Sequence, residues 1–137
     1  MLKVASSWMN TTESVLLDTS IIVAHFRREP ALAERLKAAT LYIPLTALGE
    51  LYFGAFKSEH QAKTLKQLHE FLRICAVLPP DELTAEHYGH IKADLERVGT
   101  RIPENDLWIA AIARQHQLPL ITRDRHFSLV VGLEALA

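Results

Sequence analysis

Disulfides are excluded from the outset, because Cys75 is the single cysteine in 137 residues. A reducing compartment, the cytoplasm, is the expected location. Neither sign of charge is in excess: 15 Lys+Arg against 16 Asp+Glu leave a formal net charge of −1. That removes any long-range pull on nucleic acid, so a contact of that kind has to come from a local basic patch. No apolar run approaches the ~20 residues of a membrane helix. There is no repeat, low-complexity segment or linker. The first fourteen residues, MLKVASSWMNTTES, have no continuous apolar core of the secretory type. They read as a short loose leader, residues 1–14, with Met9 as an alternative start.

What is present is the make-up of a soluble globule, 49% hydrophobic and 23% charged. Disordered and collagen-like chains are thereby excluded. The length suits one domain over residues 15–137. A chain of this size buries roughly two-thirds of its unfolded surface, so a core forms without a structural metal.

Short apolar runs alternate with helical patterns. Ser14 to Leu17 suits a buried strand ending at Asp18. Thr19 and Ser20 offer capping oxygens before a short helix, Ile21 to Phe26, which Pro30 stops. Ala31 to Ala39 follows as a helix. Leu41 to Pro44 reads as a second strand. Thr46 to Phe56 is an apolar helix, and Ser58 to Ile74 an amphipathic one facing Leu65, Leu68, Phe71 and Leu72 inward. Ala76 to Leu78 is a third strand. Asp81 to Val98 is a helix stopped by Gly99. After Pro103 comes a helix with an almost wholly apolar run, Leu107 to Ala113. Leu118 to Thr122 is a fourth strand, and Leu129 to Val131 reads as a fifth. Strands alternating with helices indicate a parallel α/β sheet covered on both faces, with ligands bound beyond the carboxyl ends of the strands.

Four acids border or interrupt apolar sequence, and each has a plain structural reading. Asp18 suits a helix cap. Glu50 suits a solvated helix position. Asp106 suits the first turn of a helix, where the dipole favours an anion. Asp124 suits a turn. Together they form a less ordinary pattern. Asp18 and Asp124 follow two strand ends, Glu50 follows a third by a helical turn, and Asp106 opens a helix. In a parallel sheet such positions converge on one rim. Carboxylates gathered there need a counter-charge. Mg²⁺ or Mn²⁺ supplies it, taking carboxylate and water oxygens. Beside a phosphodiester such an ion activates water and stabilises developing negative charge.

The stretches LLDTSI at Leu16–Ile21, ELYFGA at Glu50–Ala55, IPENDLWIAAIA at Ile102–Ala113 and LPLITRDRHF at Leu118–Phe127 resemble, in order and spacing, the motifs of a PIN domain. The nearest likeness is the VapC-type ribonuclease toxin of VapBC toxin–antitoxin modules. The resemblance implies a PIN-like three-layer α/β/α fold with a central, mostly parallel sheet of about 4–5 strands. It implies an Mg²⁺- or Mn²⁺-dependent endoribonuclease with an acidic quartet at Asp18, Glu50, Asp106 and Asp124. Asp18 and Asp106 are then the most direct metal ligands. Glu50 and Asp124 are nearby or water-mediated ones. Thr19, Ser20, Asn105 and Thr122 line the site. A VapB-type antitoxin that blocks the cleft, an RNA substrate and a homodimer are the implied partners. The apolar helix Thr46–Phe56 is the proposed wall of the antitoxin groove or, alternatively, of the dimer.

Arg101, Arg123 and Arg125 sit beside the acidic blocks and read as phosphate contacts or as solubilising surface. His126, before a buried Phe, reads as packing or surface. His87 and His90 have helical i, i+3 spacing but no third soft ligand for zinc. Cys75 reads as a small buried hydrophobe. Two rival functions remain on the same pattern. One is a non-catalytic RNA- or protein-binding domain. The other is a phosphoryl-transfer domain with Asp18 as nucleophile, disfavoured by Ser20 where a second Asp is wanted.

Overall fold

The computed structural model describes residues 13–137. The expected leader therefore lies outside the described residues except for its last two, and Ser14 already pairs within the sheet.

Twelve elements follow in order. They are β1 (Ser14–Leu17), α1 (Thr19–Phe26), α2 (Pro30–Lys37), β2 (Thr40–Pro44), α3 (Leu45–Lys57), α4 (Gln61–Leu72), β3 (Cys75–Leu78), α5 (Glu82–Arg97), α6 (Glu104–His116), β4 (Leu120–Ile121), a 3-10 helix (Arg125–Leu129) and β5 (Ala135–Leu136). The strands form one sheet in the order β3-β2-β1-β4-β5. Every pairing is parallel, which agrees with the α/β expectation.

The centre of the sheet is the driest part of the molecule. Val15, Leu16, Leu17, Leu120 and Ile121 are fully buried. Continuous apolar strands of this kind are what a doubly covered parallel sheet requires. Helix α6 is apolar on every side from Ile109 to Ala113, all of it sealed from solvent, as befits a helix inside the core. Helix α5 packs along α6. Its start is a capping box, in which Asp81 accepts from the Thr84 N–H and the Thr84 hydroxyl accepts from the Asp81 N–H. Gly99 ends it in the left-handed region at φ +71°, where a side chain would be strained.

Two expectations are corrected. The sheet is not covered on both faces at its β3 edge, where Ala76 and Val77 are exposed. An edge strand has a neighbour on one side only. Leu129 to Val131 is not a strand either. Asp124 caps the 3-10 helix, and the fully buried Phe127 pins it to the core. Val130 is buried but Val131 is 77% exposed, and the run pairs with no strand of the sheet. The chain then turns at Gly132, φ +80°, and the fifth strand forms at Ala135–Leu136 against β4.

Candidate metal-binding active site

Asp18 takes its position from the two central strands. Its backbone N–H donates to the Ile121 carbonyl (3.0 Å), tying the end of β1 to β4. Its side chain then caps α1, Oδ1 accepting from the Thr19 N–H at 2.8 Å. The cap is thus Asp18 itself rather than Thr19 or Ser20. Those hydroxyls serve the acids instead. Ser20 Oγ donates to Asp18 Oδ2 (2.9 Å), and Thr122 Oγ1 donates to the same oxygen (2.7 Å). Thr19 Oγ1 donates to Glu50 Oε1 (3.3 Å). Asp18 is only 5% exposed. A polar group so buried needs its hydrogen bonds, and these three donors supply them.

Thr122 joins two acids. Besides donating to Asp18, its Oγ1 accepts the Asp124 N–H at 3.0 Å. Its own N–H donates to the Leu136 carbonyl (2.8 Å), so β5 fixes the hub from the far side. Asp124 accepts the His126 N–H (2.9 Å) as cap of the 3-10 helix, and His126 Nδ1 lies 3.0 Å from Asp124 Oδ1.

Asp106 lies in the first turn of α6. It has no side-chain hydrogen bond among the described residues. Burial, reinforced by the charges of Asp18, Asp124 and Glu50, pushes its pKa from 3.8 up to about 6. Burial also raises that of Glu50, with Asp18 adding to the rise and the Thr19 hydroxyl opposing it. The carboxylates thus face one another with too little positive charge between them.

All four acids, with Thr19, Ser20 and Asn105, line one open cleft of about 530 Å³. Ligand atoms of Asp106, Asp124 and His126 lie within 4.8 Å of one another. This arrangement fits a hard divalent cation, because the donors are mainly carboxylate oxygens and their charge is unmet. His126 is exposed, as its surface reading has it, and also stands beside two of the acids. Its cue was the two-residue spacing from Asp124, which lets a capped turn fold the imidazole back. Glu104 was missed altogether, although it lines the same cleft.

The flanking cations differ. Arg123 is held by Glu29 in a two-pronged pair, at 2.9 and 2.6 Å. Arg101 and Arg125 are exposed and form no side-chain hydrogen bond or ion pair among the described residues. His87 and His90 both meet Arg114 through Nδ1, at 3.2 and 2.8 Å. Cys75 is half-buried rather than buried, and burial pushes its thiol up to about 12.

The PIN domain model matches residues 15–133. The chain is 34% identical over 122 residues to "Ribonuclease VapC2" of Haemophilus influenzae, covering 86% of this chain and 92% of that one. It is equally similar, at 34% identity and the same coverage, to "tRNA(fMet)-specific endonuclease VapC" of Shigella flexneri. In structure it resembles DNA-bound VapBC from Salmonella typhimurium. There the TM-score is 0.85 at 30% identity, over 90% of this chain and 96% of that one. The ordered acidic motifs, the parallel sheet that gathers them and these likenesses agree: the chain belongs to the PIN-domain family, within its VapC group.

Proposed function

We propose that this chain is a divalent-metal-dependent endoribonuclease, the toxin of a toxin–antitoxin module, held inactive by a VapB-type antitoxin. The convergence of Asp18, Glu50, Asp106 and Asp124 on one open cleft carries this reading. A domain that only binds RNA gains nothing from four acids that repel a phosphate backbone. The ribonuclease names of relatives at 34% identity support the activity. The VapBC structure from Salmonella supports the antitoxin.

Asp18, Glu50, Asp106 and Asp124 are the residues that would hold Mg²⁺ or Mn²⁺, with Asp18 and Asp106 as the most direct ligands. The ion would supply a water of lowered pKa and a counter-charge for the phosphate. Ser20 and Thr122 hold the Asp18 carboxylate in one rotamer, so it needs no reorganisation when a substrate arrives. Thr19 does the same for Glu50. Thr122 also fixes the backbone of Asp124. Asn105, exposed on the cleft wall, offers an amide to water or to a phosphate oxygen. Arg125 and Arg101 supply positive charge to the RNA backbone on either side. Hydrolysis by water in this setting leaves a 5′-phosphate and a 3′-hydroxyl.

Helix α3 offers a surface for a protein partner, the antitoxin or a second copy. Phe53 and Phe56 are 66% and 59% exposed on it, an apolar face left uncovered by the monomer. Among the described residues no helix is long and apolar enough to cross a membrane, and the cytoplasm is the proposed location.

The test is cleavage of total RNA by antitoxin-free protein with Mg²⁺, with Mn²⁺ and with chelator. Discrete fragments that require metal and vanish in Asp18→Asn and Asp106→Asn are the expected result. Intact RNA in every lane from folded protein would shift the reading to a binding role.

A further inference from the structure

A second cavity adjoins the acidic cleft, and Glu104 lines both. It measures about 380 Å³, within the roughly 300–1,000 Å³ of small-molecule sites. Leu95, Ile102 and Leu107 form its apolar floor, and Lys92 and Arg101 stand among its lining residues beside the acids Glu96 and Glu104. Gly99 builds it: the left-handed turn there brings the Thr100 N–H back onto the Leu95 carbonyl at 2.9 Å. The following residue is Arg101, exposed and unpaired among the described residues.

Glu104 is held on one oxygen only. Tyr88 Oη donates to its Oε1 at 2.5 Å, and Lys92 Nζ reaches the same atom at 3.3 Å. Tyr88 is itself stacked on Trp108, ring centroids 4.2 Å apart. Oε2 is left without a hydrogen bond among the described residues. The wall between the two cavities is thus a fixed carboxylate, its charge offset by Lys92, with one free acceptor. A fixed acceptor of this kind suits a sugar hydroxyl, and the 2′-hydroxyl is what separates RNA from DNA.

We propose that this cavity is a ribonucleotide subsite next to the scissile phosphate, its base on Leu95, Ile102 and Leu107, its 2′-hydroxyl on Glu104 Oε2 and its phosphate on Arg101. The proposal deepens the nuclease reading and rests on it for the place of the scissile bond. The guanidinium of Arg101, unpaired among the described residues and local to one side of a lining whose charges balance in total, and continuity with the acidic cleft through Glu104 select a nucleotide as occupant.

The test uses the full chain in chelator, so that nothing is cleaved. The probes are the four nucleoside 5′-monophosphates and their 2′-deoxy counterparts. Methyl resonances of Leu95, Ile102 and Leu107 report occupancy, and titration gives affinity. At least one ribonucleotide is expected to move these methyls and to bind about tenfold more tightly than its deoxy form. Glu104→Ala brings that ratio close to one. Arg101→Ala weakens both sugars about equally and leaves the ratio in place, whereas loss of the ratio with deoxynucleotide affinity retained, as expected for Glu104→Ala, is the pattern that a merely structural role would not produce. Glu104→Gln, which keeps shape and an acceptor, retains part of the ratio. Methyls that stay still, or a ribose preference that survives Glu104→Ala, overturn the subsite. RNA cleavage by the same preparation with metal restored is scored separately. Cleavage without ribose preference refutes the subsite alone, whereas ribose preference without cleavage refutes the nuclease alone.

Discussion

Asp18 and Asp106 line the same cleft and are carried on neighbouring parts of the same core, yet their surroundings are opposite. Asp18 is buried and accepts from the Thr19 N–H, Ser20 Oγ and Thr122 Oγ1. Asp106 accepts from no side chain among the described residues, and burial with three acidic neighbours pushes it to about 6. One half of the site is therefore also a joint of the fold, linking β1, α1 and β4. The other half is strained electrostatically, a strain that protonation or a bound cation would relieve. The same residue type stabilises the protein in one part of the cleft and destabilises it in another, according to which donors the backbone topology supplies.

Substitution at both positions is the strongest way to break this comparison. Asp18→Asn and Asp106→Asn are each expected to lower the cleavage rate by on the order of 10²–10³-fold or more, the scale for removing one preorganised electrostatic group. Their effects on stability should differ in sign. Asp18→Ala removes a helix cap and leaves the Ser20 and Thr122 hydroxyls without their acceptor, a loss of about 2 kcal/mol in chemical denaturation. Asp106→Asn should stabilise the metal-free protein at pH 7 by about 1 kcal/mol once solvent screening is allowed for. The sign follows from linkage. A group whose folded pKa is raised favours the fold below its unfolded value of 3.8, and that benefit is lost as pH rises through about 6. The advantage of Asp106→Asn over wild type should therefore vanish below pH 4 and be complete above pH 7. An equal loss of stability in both variants would erase the distinction between the two halves.

Metal supplies a second, somewhat smaller handle. Mg²⁺ or Mn²⁺ at a hundredfold excess over its Kd should raise the stability of wild type by about 2.7 kcal/mol. The effect should shrink strongly in Asp106→Asn, read as the shift in Tm on adding the ion. Thr122→Val sharpens the contrast further. It keeps shape but deprives Asp18 of a donor and the Asp124 N–H of its acceptor. A loss of about 1–2 kcal/mol and roughly a tenfold fall in kcat are expected, since residues that orient ligands typically carry effects of that size.

Most of the sheet was legible because periodicity and burial agree there. Val15 to Leu17 suits a buried strand and Ile109 to Ala113 a helix inside the core, and both are fully buried. Leu129 to Val131 misled because local apolarity does not reveal a partner. Phe127 had already anchored that segment, and Gly132 turned the chain toward β5. The four acids were readable from their place after strand ends or at helix starts. Their hydrogen bonds were not. Thr122 and Asp18 are 104 residues apart, and only the β1–β4 pairing brings them together. Glu104 was invisible for a similar reason: in sequence it is one more acid in a helix's first turn. Its partners, Tyr88 and Lys92, come from a different helix.

The smallest effect concerns two arginines on either side of Asp124. Arg123 is engaged by Glu29 through both prongs of its guanidinium, whereas Arg125 has no side-chain partner among the described residues. In sequence the two are equivalent, and both read as phosphate contacts or as solubilising surface. The structure separates them. Arg125→Ala should raise KM for RNA a few-fold, leave kcat unchanged and reduce the salt slope of binding by about 1, as for the loss of one phosphate contact. Arg123→Ala should cost little stability, as the loss of an exposed ion pair does, with little change in KM. If Arg123→Ala raised KM as much as Arg125→Ala, the guanidinium would have to leave Glu29 for the RNA. Glu29→Gln would then lower KM by freeing it, and a salt titration of the three variants distinguishes the cases.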